Sequence, residues 1–234
     1  MYREKAALYG LSASGTMPFS RRTIMTVSPT LSPPINRTIL SNIRWQTYQA
    51  LVLDLAQTSG KRLTYDRGQL EIMTPLPEHE VTKRLLGRFV ETTTDVLGIE
   101  IYSLGSATWS REDLQRGLEP DECYYITQEA VVRGQLSFDL KVDPPPDLAI
   151  EIDITSSSLD RLGIYAALGI AEVWRFDNQD LTIYVLRGGV YEIQERSQVL
   201  SVLTKSDLLQ FLQRRGSMGE NALLREFRSW LTRA

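Results

Sequence analysis

The chain has 234 residues, 42% of them hydrophobic and 24% charged, enough for one substantial core. Its net charge of −3 counts against a dedicated nucleic-acid coat protein, though not against a local basic patch. A single cysteine, Cys123, and a single histidine, His79, exclude an internal disulfide and a Cys/His zinc site within one chain, so a bound metal would take oxygen ligands, as magnesium, manganese and calcium do.

Residues 1 to about 37 hold Ser-Pro and Pro-Pro pairs and no periodic apolar pattern, and are expected to be a disordered tail or an over-long gene start. Ser41 to Gln57 reads as a helix, with Trp45, Tyr48, Leu51, Val52 and Leu55 at helical spacing and Ser41 or Asn42 as cap. Arg62–Tyr65 and Gln69–Met73 read as a hairpin around Asp66-Arg67-Gly68. A second helix is expected over Glu80–Leu97, ended by Gly98. Ile99–Leu104 reads as a strand, residues 110–118 as a charged loop, and Glu119–Thr127 as another strand.

After Pro144-Pro145-Pro146, the stretch 147–154 alternates strictly. Leu148, Ile150, Ile152 and Ile154 face one way; Asp147, Ala149, Glu151 and Asp153 face the other. Thr155-Ser156-Ser157-Ser158 offers caps for a helix over Leu159–Leu168, stopped by Gly169. Strands over 172–176, 181–186 and 190–195 follow, then helices over 206–213 and 220–231. This order points to an α/β class, a mixed α+β sheet flanked by helices, with 38–234 as one domain. No apolar run approaches the roughly 20 residues that cross a bilayer, and the start lacks the apolar core of a secretory signal, so a cytoplasmic location is expected.

Chemistry could sit where carboxylates gather. Glu151 and Asp153 share one strand face, roughly 6 to 7 Å apart along its axis, and two such charges call for a cation between them. The same alternation is also the ordinary mark of a half-buried strand with one solvated face. Glu119-Pro120-Asp121 is a second acidic group, which turn chemistry alone would also explain. Glu78 and Glu80 suit a helix N-terminus, and His79 between them reads more readily as a capping or surface residue than as a catalytic base. Cys123 reads as a small buried hydrophobe, and the four tryptophans as packing residues. The basic pairs Lys83-Arg84, Arg214-Arg215 and Arg225/Arg228 read as solvated faces unless the fold brings them together.

Several segments together resemble the Uma2 (DUF820) family of restriction-endonuclease-like proteins, abundant in cyanobacteria. They are Gly68-Gln69-Leu70-Glu71-Ile72-Met73-Thr74-Pro75, Glu78-His79-Glu80, Leu104-Gly105-Ser106, Glu119-Pro120-Asp121, Pro146-Asp147-Leu148-Ala149-Ile150-Glu151-Ile152, and the run from Tyr165 to Trp174. The resemblance extends from about residue 40 to the C-terminus. It implies a PD-(D/E)XK nuclease-like core in which Asp121 and Glu151 hold Mg2+ or Mn2+, with Glu80 as a third acid; Asp153 stays a candidate ligand from its shared strand face with Glu151. DNA would be the substrate, and a homodimer the usual assembly for cutting two strands.

One departure stands out. The motif lysine belongs two residues after Glu151, where this chain has Asp153. Family members can carry a lysine four residues before the tyrosine instead, and here that position is Arg161. Arginine can steady a phosphate but stays protonated, so it makes a poor base. The alternative is a catalytically degenerate member of the same fold that binds nucleic acid or protein.

Overall fold

A computed structural model describes residues 37–56, 60–153, 157, 159–177 and 179–233. Most of the expected tail lies outside these residues, as do Ile154, Thr155, Ser156 and Ser158 of the expected strand end and capping run. Arg37, the last residue assigned to the tail, is the first of strand β1 (Arg37–Leu40), which pairs with β3 (Gln69–Met73). Strand β2 (Arg62–Asp66) closes the expected hairpin with β3, and Arg67 and Gly68 take positive φ at its tip.

Two sheets carry the architecture. The first has the order β1-β3-β2-β6-β5, where β5 is Trp109–Arg111 and β6 is Arg116–Leu118. The second has the order β11-β10-β9-β8-β7-β4, from β4 (Tyr102–Ser103), β7 (Glu122–Tyr125), β8 (Leu148–Ile152), β9 (Glu172–Asp177), β10 (Asp180–Arg187) and β11 (Val190–Gln194). Among the strands of the described residues, only β8 and β9 pair in parallel; α4 (Arg161–Leu168) lies in their crossover.

One face of the second sheet buries Leu148, Ile150, Ile152, Trp174 and Phe176. Against it pack α2 (Pro77–Leu97), α5 (Lys205–Gln213) and α6 (Glu220–Leu231). The opposite face buries Ala149 and Val173 under α4, together with Trp109 and Leu118 of the first sheet. Helix α1 (Trp45–Leu55) buries Trp45 and Tyr48 in one cluster with Leu63, Tyr65 and Leu70, both rings meeting Tyr65. A short α3 (Glu129–Val132) completes the helices of the described residues.

Four local expectations change. Residues 110–118 are not a loop: a 3-10 turn over Glu112–Leu114 and Gln115 at φ 51° join β5 to β6. Their charged composition suggested solvent, but β6 takes its backbone partners from β2, about fifty residues earlier. Helix α1 starts at Trp45 with Arg44 in the cap position and no side-chain cap, so Ser41 and Asn42 lie before the capping position, Asn42 at φ 59°. Helix α2 begins at Pro77, since proline has a preset φ and no donor to lose at a first turn. Asp160, rather than a serine, caps α4 by accepting the Gly163 N–H at 2.9 Å.

Gly117 of β6 shows how closely the layers meet. A Cβ there would run into the Tyr48 hydroxyl and lie 2.8 Å from the Ser110 Cβ. Gly117→Ala should therefore cost about 1–3 kcal/mol, the usual range for overpacking. Chemical denaturation would read this; an unchanged midpoint would show that Tyr48 can move aside freely.

Candidate active site

The acidic cluster forms where β7, β8 and β9 lie side by side, beneath the first sheet and beside the start of α2. Asp121 comes just before β7. Its N–H donates to the Ile150 carbonyl at 3.0 Å, and its Oδ2 accepts the Ile152 N–H at 2.7 Å. Pro120, immediately before it, has no donor to offer a ladder. Asp121 is thus fixed to β8 by its own side chain, and it is 2% exposed.

Glu151 projects from the middle of β8 onto the face opposite the aliphatic core. The expected solvated face does not exist, because β8 is buried on both sides. Arg161, the first residue of α4, grips Glu151 twice: Nε lies 2.6 Å from Oε1, and Nη2 donates to Oε2 at 2.7 Å. Tyr165, one turn later, donates its hydroxyl to the same Oε2 at 2.7 Å. Arg161 also donates through Nη2 to the Glu119 carbonyl at 2.9 Å and through Nη1 to the Thr64 hydroxyl of β2. Its side chain is 11% exposed.

Burial pushes the Glu151 carboxyl up and Asp121 adds to that push, while Arg161 and Tyr165 pull it back. Burial works against the charge on Arg161, but Glu151 outweighs it and holds the guanidinium protonated. With Arg161 charged at its side, Glu151 is an acceptor with two guanidinium contacts and one phenol hydrogen bond.

His79 is the residue the sequence reading undervalued. It lies on the inward stripe of α2 with Thr82, Leu85, Leu86 and Phe89, not at the surface. Its Nε2 is 3.2 Å from Asp121 Oδ2, close enough for attraction but not aligned as a hydrogen bond, and neither ring nitrogen has a hydrogen-bond partner among the described residues. The helical spacing of His79, Thr82, Leu86 and Phe89 was the available signal. Burial lowers the His79 pKa, but Asp121, then Glu151 and Glu80, raise it above 6.5 overall.

That shift fixes a pH dependence. A histidine raised in the folded state contributes its full stability below the unfolded value of 6.5 and loses it as pH rises through the folded value. The melting-temperature gap between wild type and His79→Gln should be widest on the acidic side and narrow as pH climbs above 6.5. A gap that stays constant with pH would show that the imidazole is not held protonated by Asp121.

The remaining expected residues are not gathered equally. Glu80 sits in the first turn of α2 with its side chain about half exposed, 3.3 Å from Lys83 and 3.7 Å from His79 Nδ1. Asp153 is buried just beyond β8 and accepts from Arg175 Nη2 at 2.6 Å; Arg37 Nη2 lies 3.9 Å from its Oδ1. Ser157 donates to Glu71 of β3, which is also buried. A cleft of about 650 Å3 opens nearby and includes Lys61, Arg62, Glu80 and Glu119.

Among the described residues, no three His, Cys, Asp or Glu side chains form a ready ligand set. Asp121 and Glu151 nevertheless suit magnesium, which keeps several waters and takes one or two carboxylates. Zinc, which wants three or four protein ligands, is not suited.

The family model Uma2, described as "Putative restriction endonuclease", matches residues 45–215. Among solved structures, the chain is similar to a "putative nuclease belonging to DUF820" from Anabaena variabilis ATCC 29413. The identity is 16%, the match covers 73% of this chain and 99% of that one, and the TM-score is 0.48. No curated protein matches. The family segment runs from the first residue of α1 to just past α5 and includes His79, Asp121, Glu151, Arg161 and Tyr165. This chain belongs to the Uma2 family.

Proposed function

We propose that the protein is a metal-assisted endonuclease that hydrolyses DNA phosphodiester bonds with Mg2+ or Mn2+. The observation that carries this reading is the convergence of Asp121 and Glu151, from neighbouring strands, beside His79. Asp121 and Glu151 would hold the ion, with Glu80 and Asp153 at the edge of the site. A bound ion would lower the pKa of a water and stabilise charge on a phosphate.

The chain's own residues have separate tasks. Arg161 and Tyr165 hold Glu151 in one orientation and oppose the upward push of burial on its carboxyl. The Ile152 N–H fixes the orientation of the Asp121 carboxylate. His79, whose pKa Asp121 raises, is a candidate proton donor to the leaving oxygen. The nearby cleft, with Lys61 and Arg62, has the charge and the size to approach a nucleic-acid backbone. No helix among the described residues is long and apolar enough to cross a membrane. A cytoplasmic homodimer fits this activity.

A second reading rests on one specific observation. Arg161 already neutralises Glu151 from 2.6 Å, and Asp153 stands where the motif has lysine. A protein so arranged could bind nucleic acid or protein without cutting. Calorimetric titration with magnesium and manganese, run beside a plasmid-nicking assay, separates the two. Ion binding with nicking supports the enzyme; neither, in a folded protein, leaves the binding module.

A further inference from the structure

Two arginines line the small cavity of about 90 Å3 beside Glu151, and they differ in what they can still bind. Arg161 is nearly enclosed, with contacts to Glu151, the Glu119 carbonyl and Thr64. A guanidinium has five N–H donors in a rigid fork; here Nη1 and Nη2 make hydrogen bonds and Nε lies against Glu151 Oε1 at 2.6 Å, so the fork is turned wholly toward protein atoms. Arg175 is the opposite case. It stands on β9 directly across from Glu151 in the parallel register, and its side chain is 31% exposed. Among the described residues its one hydrogen bond runs from Nη2 to Asp153 Oδ2, leaving the rest of the fork for a ligand.

Asp153 gives Arg175 its direction. The carboxylate is buried at 3% exposure, and its Oδ1 has no hydrogen-bond partner among the described residues. With Arg37 3.9 Å away, Arg175 supplies the nearest counter-charge to Asp153. Burying a carboxylate beside Glu151 is costly unless a cation is held to it. An Asp at the motif-lysine position thus draws in a cation from the neighbouring strand, to the side of Glu151 where lysine would have placed one.

We propose that Arg175, positioned by Asp153, is the residue of this site that binds a backbone phosphate of the nucleic acid, while Arg161 is an internal counter-ion of Glu151. The inference rests on the nucleic-acid reading above, but not on cleavage. Arginine suits the task because its planar fork matches two phosphate oxygens while another edge stays on a carboxylate.

The test is DNA binding without divalent ions, followed by fluorescence anisotropy of a labelled short duplex across a range of KCl concentrations. Each phosphate contact contributes about 0.9 to the slope of log affinity against log salt. Arg175→Ala should weaken binding several-fold and lower that slope by about one; Arg175→Lys should keep most of the slope. Asp153→Asn should weaken binding without changing the slope, since the charge remains but is less well placed. Arg175→Gln serves if thermal melts show that Arg175→Ala does not fold. If the wild type binds and the Arg175 variants match it in affinity and slope, the proposal fails while the nucleic-acid reading stands. If the wild type binds no DNA, both fail.

Discussion

Arg161→Ala should lower stability by about 3–5 kcal/mol, the usual result of removing one partner from a buried ion pair. The loss follows from what stays behind. Glu151 would remain at 6% exposure with Asp121 close by, and with Tyr165 as its one side-chain donor among the described residues. In a domain of this size that corresponds to a fall of roughly 10 °C in melting temperature. Replacing both partners, as in Arg161→Met with Glu151→Met, should recover much of it, because a buried pair exchanged for apolar groups is often near neutral. Arg161→Lys should fall between, keeping charge but losing the fork that reaches Glu151, Glu119 and Thr64 together. Magnesium adds a second readout. If Glu151 binds the ion, saturating magnesium should raise the melting temperature of Arg161→Ala more than that of wild type, by mass action on the folded state. An Arg161→Ala protein as stable as wild type would mean that Glu151 is not ionised in the folded chain.

Asp121→Asn should abolish DNA cleavage, by about 1000-fold or more, while the fold persists. A Lewis-acid ion supplies several kcal/mol of charge stabilisation, and neutralising a ligand removes that support. The amide oxygen can still accept the Ile152 N–H that Asp121 accepts at 2.7 Å, so the anchor to β8 is kept. Asp121→Ala would lose both, leaving a buried N–H unsatisfied, which makes it the poorer test. Plasmid nicking with Mn2+, together with the melting temperature of each variant, would measure the effect. Full activity in a folded Asp121→Asn protein would remove Asp121 from the metal site and with it the proposed mechanism.

Much of the fold was legible because its signals are local. The alternation through Leu148, Ile150 and Ile152 marks β8, and the hairpin around Asp66-Arg67-Gly68 marks β2 and β3. Helices α5 and α6 and strands β9 to β11 fall within a residue or two of their expected limits. Each rests on periodicity or turn chemistry that a short window contains.

What the local pattern could not carry was partnership. Strands β5 and β6 looked like a polar loop because the hairpin they form is tied into a sheet only through β6 and β2, far away in the chain. The acidic face of β8 looked like a solvated one because nothing near it in sequence reveals that the first sheet and α4 cover it. His79 looked like a capping residue for the same reason: its place beside Asp121 depends on how α2 packs against β7 and β8. The residue types by themselves limited this protein to a mixed α/β fold with oxygen donors, and the family resemblance added an arginine where members can carry lysine. Only the tertiary structure decided that this arginine closes on Glu151 while Arg175 stays open, because that depends on strand register and burial, which no spacing along the chain records.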